Sequence, residues 1–134
     1  MTQLSVIEGI GPTFQEKLKK VGIRSIEALL EKGSKPKGRA EIEAASGIGG
    51  KLILEWVNLA DLFRIKGVGS EYSDLLEEAG VDTVVELAQR RADNLYKAIL
   101  DVNARKKLVR RPPTMDDVKS WIEQAKKLPR LVQY

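Results

Sequence analysis

The chain states one pattern twice. Ile7-Glu8-Gly9-Ile10-Gly11-Pro12, with Lys17-Leu18 and Val21-Gly22-Ile23 after it, returns as Ile65-Lys66-Gly67-Val68-Gly69-Ser70, with Leu75-Leu76 and Ala79-Gly80-Val81 after it. Each copy has an apolar residue, a Gly-apolar-Gly turn, one helix's worth of residues and a closing glycine. The likeness extends further, because Trp56 and Trp121 stand in similar apolar helical stretches late in each copy. A long unit present only twice reads as a duplicated module, since a solenoid needs roughly three or more repeats. The repeat divides the chain into halves, 1–64 and 65–134.

Periodicity is helical almost throughout, and no segment shows convincing strand alternation. Pro12 is suited to open a first helix carrying Phe14, Leu18 and Val21. Gly22 then takes the left-handed position that ends it, with Ile23 as the apolar contact beyond. Ser25 caps a short helix carrying Ile26, Leu29 and Leu30, and Gly33-Ser34-Lys35-Pro36 breaks the chain. A third helix runs over Arg39 to Ala45, and Ser46 to Gly50 is a turn. A fourth helix carries Leu52, Ile53, Trp56, Leu59, Ala60 and Phe63.

The second half repeats this order. A helix from Gly69 to Ala79 ends at Gly80, and Thr83 to Glu86 forms a capping box. A helix from Asn94 to about Leu108 stops before Pro112-Pro113, and a last one runs from Thr114 to Leu128. The expectation is an all-α protein of about eight helices in two repeats, packed as one globular unit. Trp56 and Trp121 read as core packing between the halves.

Composition removes several chemistries. The 134 residues contain no cysteine and no histidine, so a thiolate nucleophile, an imidazole base and a Cys/His zinc site are all excluded. No apolar run approaches the ~20 residues of a membrane span, and the first residues lack the pattern of a secretory signal. The reading is a soluble, cytoplasmic protein without cofactor or metal. Net charge is +4, from 23 basic and 19 acidic residues, a mild bias that allows nucleic-acid contact without demanding it.

Three turns share the Gly-apolar-Gly form: Gly9-Ile10-Gly11, Gly47-Ile48-Gly49 and Gly67-Val68-Gly69. Glycine permits positive φ and a close backbone approach. The buried apolar residue pins the turn to the core. A helix follows each turn, so its unpaired N–H groups face outward and favour an anion. A phosphate can sit there without any base contact, which makes binding indifferent to sequence and sensitive to salt.

The residues Gly9-Ile10-Gly11-Pro12, Lys17-Leu18 and Val21-Gly22-Ile23 resemble the helix-hairpin-helix motif of DNA repair and processing proteins. Nearly the whole chain resembles a bacterial family built from such repeats, domain of unknown function 4332 (DUF4332). The resemblance implies tandem helix-hairpin-helix repeats, as SAM-like small helical bundles, and duplex binding across the minor groove through backbone amides and nearby basic residues. The class usually has a small residue six positions after the first turn glycine. Here Gln15, Ser73 and Ile53 stand there.

Charge separates the copies. Lys17, Lys19, Lys20 and Arg24 align with Leu75, Glu77, Glu78 and Asp82, and Glu71 and Asp74 add negative charge. The candidate nucleic-acid-binding set is therefore Gly9, Ile10, Gly11, Lys17, Lys19, Lys20 and Arg24, with Gly47, Gly49 and Lys51 from the middle turn. The expected function is a non-enzymatic, sequence-nonspecific DNA-binding module. The alternative is a protein-interaction or scaffold module, with the acidic second turn meeting a protein partner.

Other signals are weaker. Arg105-Lys106-Lys107-Leu108-Val109-Arg110-Arg111 is the densest basic run, and it reads as either a second backbone contact or a solvated helix end. Gly47-Ile48-Gly49-Gly50-Lys51-Leu52 lacks the glycine spacing, the Ser/Thr and the preceding strand of a phosphate-binding loop, so no nucleotide is expected. Asp116-Asp117 reads as helix capping.

Overall fold

The computed structural model describes residues 2–7 and 9–134. Among them every regular element is helical. A 3-10 turn at Leu4–Val6 precedes α1 (Pro12–Lys20), α2 (Ile26–Gly33), α3 (Pro36–Ser46), α4 (Gly50–Leu62), α5 (Ser70–Glu78), α6 (Val84–Ala88), α7 (Ala92–Lys106) and α8 (Met115–Lys127). None is long and apolar enough to cross a membrane. The chain forms two compact units, Met1–Asp61 with Leu131–Tyr134, and Leu62–Arg130.

The repeated glycines do the same work in each unit. Gly22 (φ +85) ends α1, with Gly22 N–H donating to the Lys19 carbonyl and Ile23 N–H to that of Leu18. Gly80 (φ +97) ends α5, with Gly80 N–H donating to Glu77 and Val81 N–H to Leu76. Both are Schellman closures, in which a left-handed residue satisfies the last carbonyls of the helix. Ile23 and Val81 are buried behind them.

Capping differs from expectation in two places. Pro36 opens α3 as its first residue rather than ending a loop, because Lys35 before it is extended and proline's fixed φ suits a helix start. Thr83 caps α6 through its hydroxyl, but the Glu86 carboxylate accepts from Asp82 N–H instead of closing the box on Thr83. The complete capping box stands at α8: Thr114 Oγ1 accepts from Asp117 N–H at 3.1 Å, and Asp117 Oδ2 accepts from Thr114 N–H at 2.9 Å. That gives Asp117 the capping role its position suggested.

In unit 1, α3 packs against α1 and α2. Leu18, Ile23, Leu29, Ile42, Ile53, Trp56 and Val57 are among its buried side chains. Desolvation is the largest single influence on the Glu27 carboxyl and raises its pKa. Bonds from Thr2 N–H at 2.7 and 3.2 Å, from Glu27's own N–H and from the Thr2 side chain act together with nearby positive charge to hold it below its ordinary value. In unit 2, α8 packs against α6 and α7, and α7 packs against α5. Its core gathers Leu75, Leu76, Leu87, Leu95, Ile99, Val118 and Trp121.

The last four residues return to unit 1. Gln133 N–H donates to the Ser34 carbonyl at 2.7 Å, Tyr134 Oη donates to Asn58 Oδ1 at 3.2 Å, and Val132 is buried. Arg39 clamps this segment. Its Nη1 donates to the Gly33 carbonyl at 2.8 Å and its Nη2 to the Gln133 carbonyl at 2.6 Å. Burial pushes the guanidinium's pKa down, and charge at Tyr134 opposes that shift; an arginine stays protonated regardless. Arg39→Met keeps the aliphatic stem but strands both carbonyls. It is expected to cost about 2 kcal/mol in a urea unfolding curve, and a loss within error of zero would rule out the clamp.

Candidate nucleic-acid interface

The first and second turns are built alike. Ile10 N–H donates to the Ile7 carbonyl, and Val68 N–H donates to that of Ile65. Gly9 (φ +94) and Gly67 (φ +95) hold the left-handed position, while Ile10 and Val68 are buried. Gly11 and Gly69 are the extended N-caps of α1 and α5, and neither offers a side chain to the helix start.

The middle turn reaches a similar shape by other means. Gly47 (φ +76) ends α3, and Ile48 is buried. Ser46 Oγ donates to the Ile42 carbonyl and accepts from Ile48 N–H.

Each turn therefore delivers a helix N-terminus, and the three ends differ in what already faces them. At α4, the Glu43 carboxylate accepts from Gly50 N–H at 2.8 Å. The chain's own anion thus occupies the place beside Gly47, Gly49 and Lys51 where an external phosphate was expected. Glu43→Ala is expected to destabilise unit 1 by about 1 kcal/mol through the lost cap, measured as a fall in urea midpoint at unchanged slope. At α5, Glu71 stands in the first turn, where a negative charge complements the helix dipole. At α1 the first turn holds no acid and no side-chain cap.

The basic residues stand at the other end of the same helix, with Lys17, Lys19 and Lys20 in its last turn and Arg24 just past it. Lys17, Lys19, Lys20 and Arg24 are all exposed. Among the described residues none of them pairs with a carboxylate. Lys17 Nζ lies 5.8 Å from the centre of the Phe14 ring, a cation–π placement that orients the ammonium without neutralising it. Lys51, on α4, is also exposed.

A family model described as a domain of unknown function, DUF4332, matches residues 8–128. The chain belongs to this family. No curated protein and no solved structure matches it at a significant level.

In this DUF4332 chain several acids of the second copy already have partners. Glu78 pairs with Lys106, and Asp74 and Glu77 each take part in an interaction of their own. The basic run that contains Lys106 is a helix end followed by a tethered loop. Lys107 adopts φ 52 as the C-cap of α7, the Asn103 side chain holds both polar backbone groups of Val109, and Tyr72 Oη donates to the Arg111 carbonyl at 2.9 Å. Arg105, Arg110 and Arg111 remain exposed.

Each tryptophan meets an aromatic ring of its own unit. Trp56 meets Phe14 edge-on, with ring centres 5.1 Å apart, and Trp121 meets Tyr72 at 5.3 Å. At the position six after the first turn glycine, Ser73 and Ile53 are buried and Gln15 is partly exposed. Ser73 satisfies its hydroxyl on the Ser70 carbonyl.

Periodicity also missed an open groove of about 590 Å3 in unit 2, lined by Arg90, Arg91, Asp93, Lys119, Glu123 and Lys126. Much of its charge is spent internally. Arg91 pairs with Asp93, Lys126 with Glu123, and Arg90 donates to the Ala79 carbonyl. Among the described residues no three carboxylates converge to hold a metal ion.

Proposed function

We propose that the chain is a non-enzymatic, sequence-nonspecific nucleic-acid-binding module of helix-hairpin-helix type, working through its first turn. One observation carries this reading. The α1 start lacks an acid or cap in its first turn, and four exposed cations that pair with no carboxylate among the described residues lie in the last turn of that helix and just past its end. Gly9, Ile10 and Gly11 hold the helix start outward so that its free N–H groups meet a phosphate. Lys17, Lys19, Lys20 and Arg24 then displace counterions from the neighbouring backbone.

The sign of the local charge decides among the turns. Glu43 competes at α4 and Glu71 repels at α5, so Gly47, Gly49 and Lys51 have at most a supporting part. The scaffold alternative rested on a free acidic surface, and the pairing of Glu78 with Lys106 weakens that motive.

Anisotropy titration of a labelled duplex tests the reading. Wild type is expected to bind at low salt, with a dissociation constant on the order of 10⁻⁵ M that weakens steeply as salt rises. Changing Lys17, Lys19 and Lys20 together to Glu is expected to lower affinity at least about tenfold and to flatten the salt slope by roughly 2–3. Absence of any wild-type binding to duplex or single strand at low salt would end the proposal.

A further inference from the structure

Each tryptophan stands with its indole nitrogen behind the left-handed glycine of its own turn. Trp56 is 1% exposed, and its Nε1 lies 3.6 Å from where a Gly9 side chain would begin. Trp121 is 3% exposed, and its Nε1 lies 3.2 Å from the same point on Gly67. An indole N–H only donates, and when buried it ordinarily finds an acceptor. Among the described residues neither of these has one.

No fully enclosed side-chain nitrogen lacks a partner among the described residues. Both Nε1 atoms therefore still reach solvent, and they do so beside exposed glycines that carry no side chain to cover them. The duplication has kept glycine and tryptophan together in both copies, whereas the surrounding charges differ.

We propose that the Trp56 indole N–H is a hydrogen-bond donor to a phosphodiester oxygen seated on the first turn, beside the free backbone N–H groups that open α1. This rests on the nucleic-acid reading and adds a named side-chain donor to it. Gly9 then serves two ends: it supplies the positive φ of the turn, and it leaves the donor uncovered. The edge-on Phe14 ring, inclined at 67°, packs against the indole. The second unit keeps the same geometry but not the same electrostatics. Glu71 stands in the first turn of α5, and Gln124 holds both backbone groups of Lys66. Trp121 should therefore remain a structural residue.

The test uses the intact, ¹⁵N-labelled wild-type protein, whose two indole N–H resonances are assigned with Trp121→Phe. A short DNA duplex and, separately, inorganic phosphate are titrated at low salt. The expected result is a saturable shift of the Trp56 indole resonance with the same midpoint as the Thr13 and Phe14 amides, while the Trp121 resonance stays in place. If those amides move and the Trp56 indole does not, the donor role is refuted and the binding reading survives. Equal movement of both indoles would refute the assignment to the first turn. If nothing moves and anisotropy also shows no binding, both proposals fall together.

Discussion

Trp121→Ala is expected to destabilise unit 2 by about 3–5 kcal/mol. The indole is buried in the core with Leu75, Leu76, Val118 and Ala125, and its ring packs on Tyr72. Removing it deletes the largest apolar area in that core and leaves a cavity that the neighbouring helices can close only in part. Since small domains have a net stability of roughly 5–15 kcal/mol, such a loss is a large fraction of the whole. Urea unfolding followed by far-ultraviolet circular dichroism reads it. Trp56 is then the one remaining tryptophan, so fluorescence of the variant reports on unit 1 alone. Trp121→Phe keeps a ring for Tyr72 to meet and should recover more than half of the loss. A cost for Trp121→Ala below about 1 kcal/mol would show that the ring is dispensable, contrary to its burial.

Gly38→Ala should cost about 3 kcal/mol, against the trend for helices. Within a helix, alanine is ordinarily favoured over glycine by about 1 kcal/mol, so propensity alone forecasts a gain. Packing reverses the sign. A Cβ on Gly38 would stand 1.8 Å from the Lys32 carbonyl oxygen and 3.0 Å from its carbon. Both are backbone atoms, so no side chain can swing aside. The start of α3 would have to move off the end of α2, which disturbs Arg39 and its bond to Gly33. Overpacking of this kind costs about 1–3 kcal/mol and sometimes more. A thermal melt decides it: a raised midpoint would mean that α2 and α3 part without penalty.

Much of the fold was legible because its punctuation lies in residue identity. Gly22 and Gly80 close their helices as expected, since a left-handed closure is a local demand that glycine meets best. Ser25 and Thr83 cap as their type suggests. What could not be read depends on approaches between distant segments. Gly38 looks like any helical glycine until α2 is placed against it. Glu43 looks like a surface acid until its helix turns back on the start of α4. The Trp56–Trp121 match was visible, but a repeat is symmetric by nature and does not say whether two equivalent rings meet each other or each its own turn.

The candidate site was legible in the same uneven way. The turns and the excess of lysine on α1 follow from sequence alone. Which turn keeps an open helix start does not, because occupancy is decided by Glu43, whose bond to Gly50 crosses between helices. The pairing of Glu78 with Lys106 likewise joins residues that no helical spacing relates.

The return of residues 131–134 to the first unit has a consequence for how the protein is made. A ribosome emits the chain in order, at roughly 5–20 residues per second, and domains tend to fold as they emerge. The second unit has its full complement of residues before the first does. Unit 1 must wait, with the Arg39 guanidinium and the carbonyl of Ser34 lacking their last partners, until Gln133 leaves the exit tunnel. The half that begins first is thus completed after the second, and the turn proposed to meet nucleic acid sits in that later-completed half.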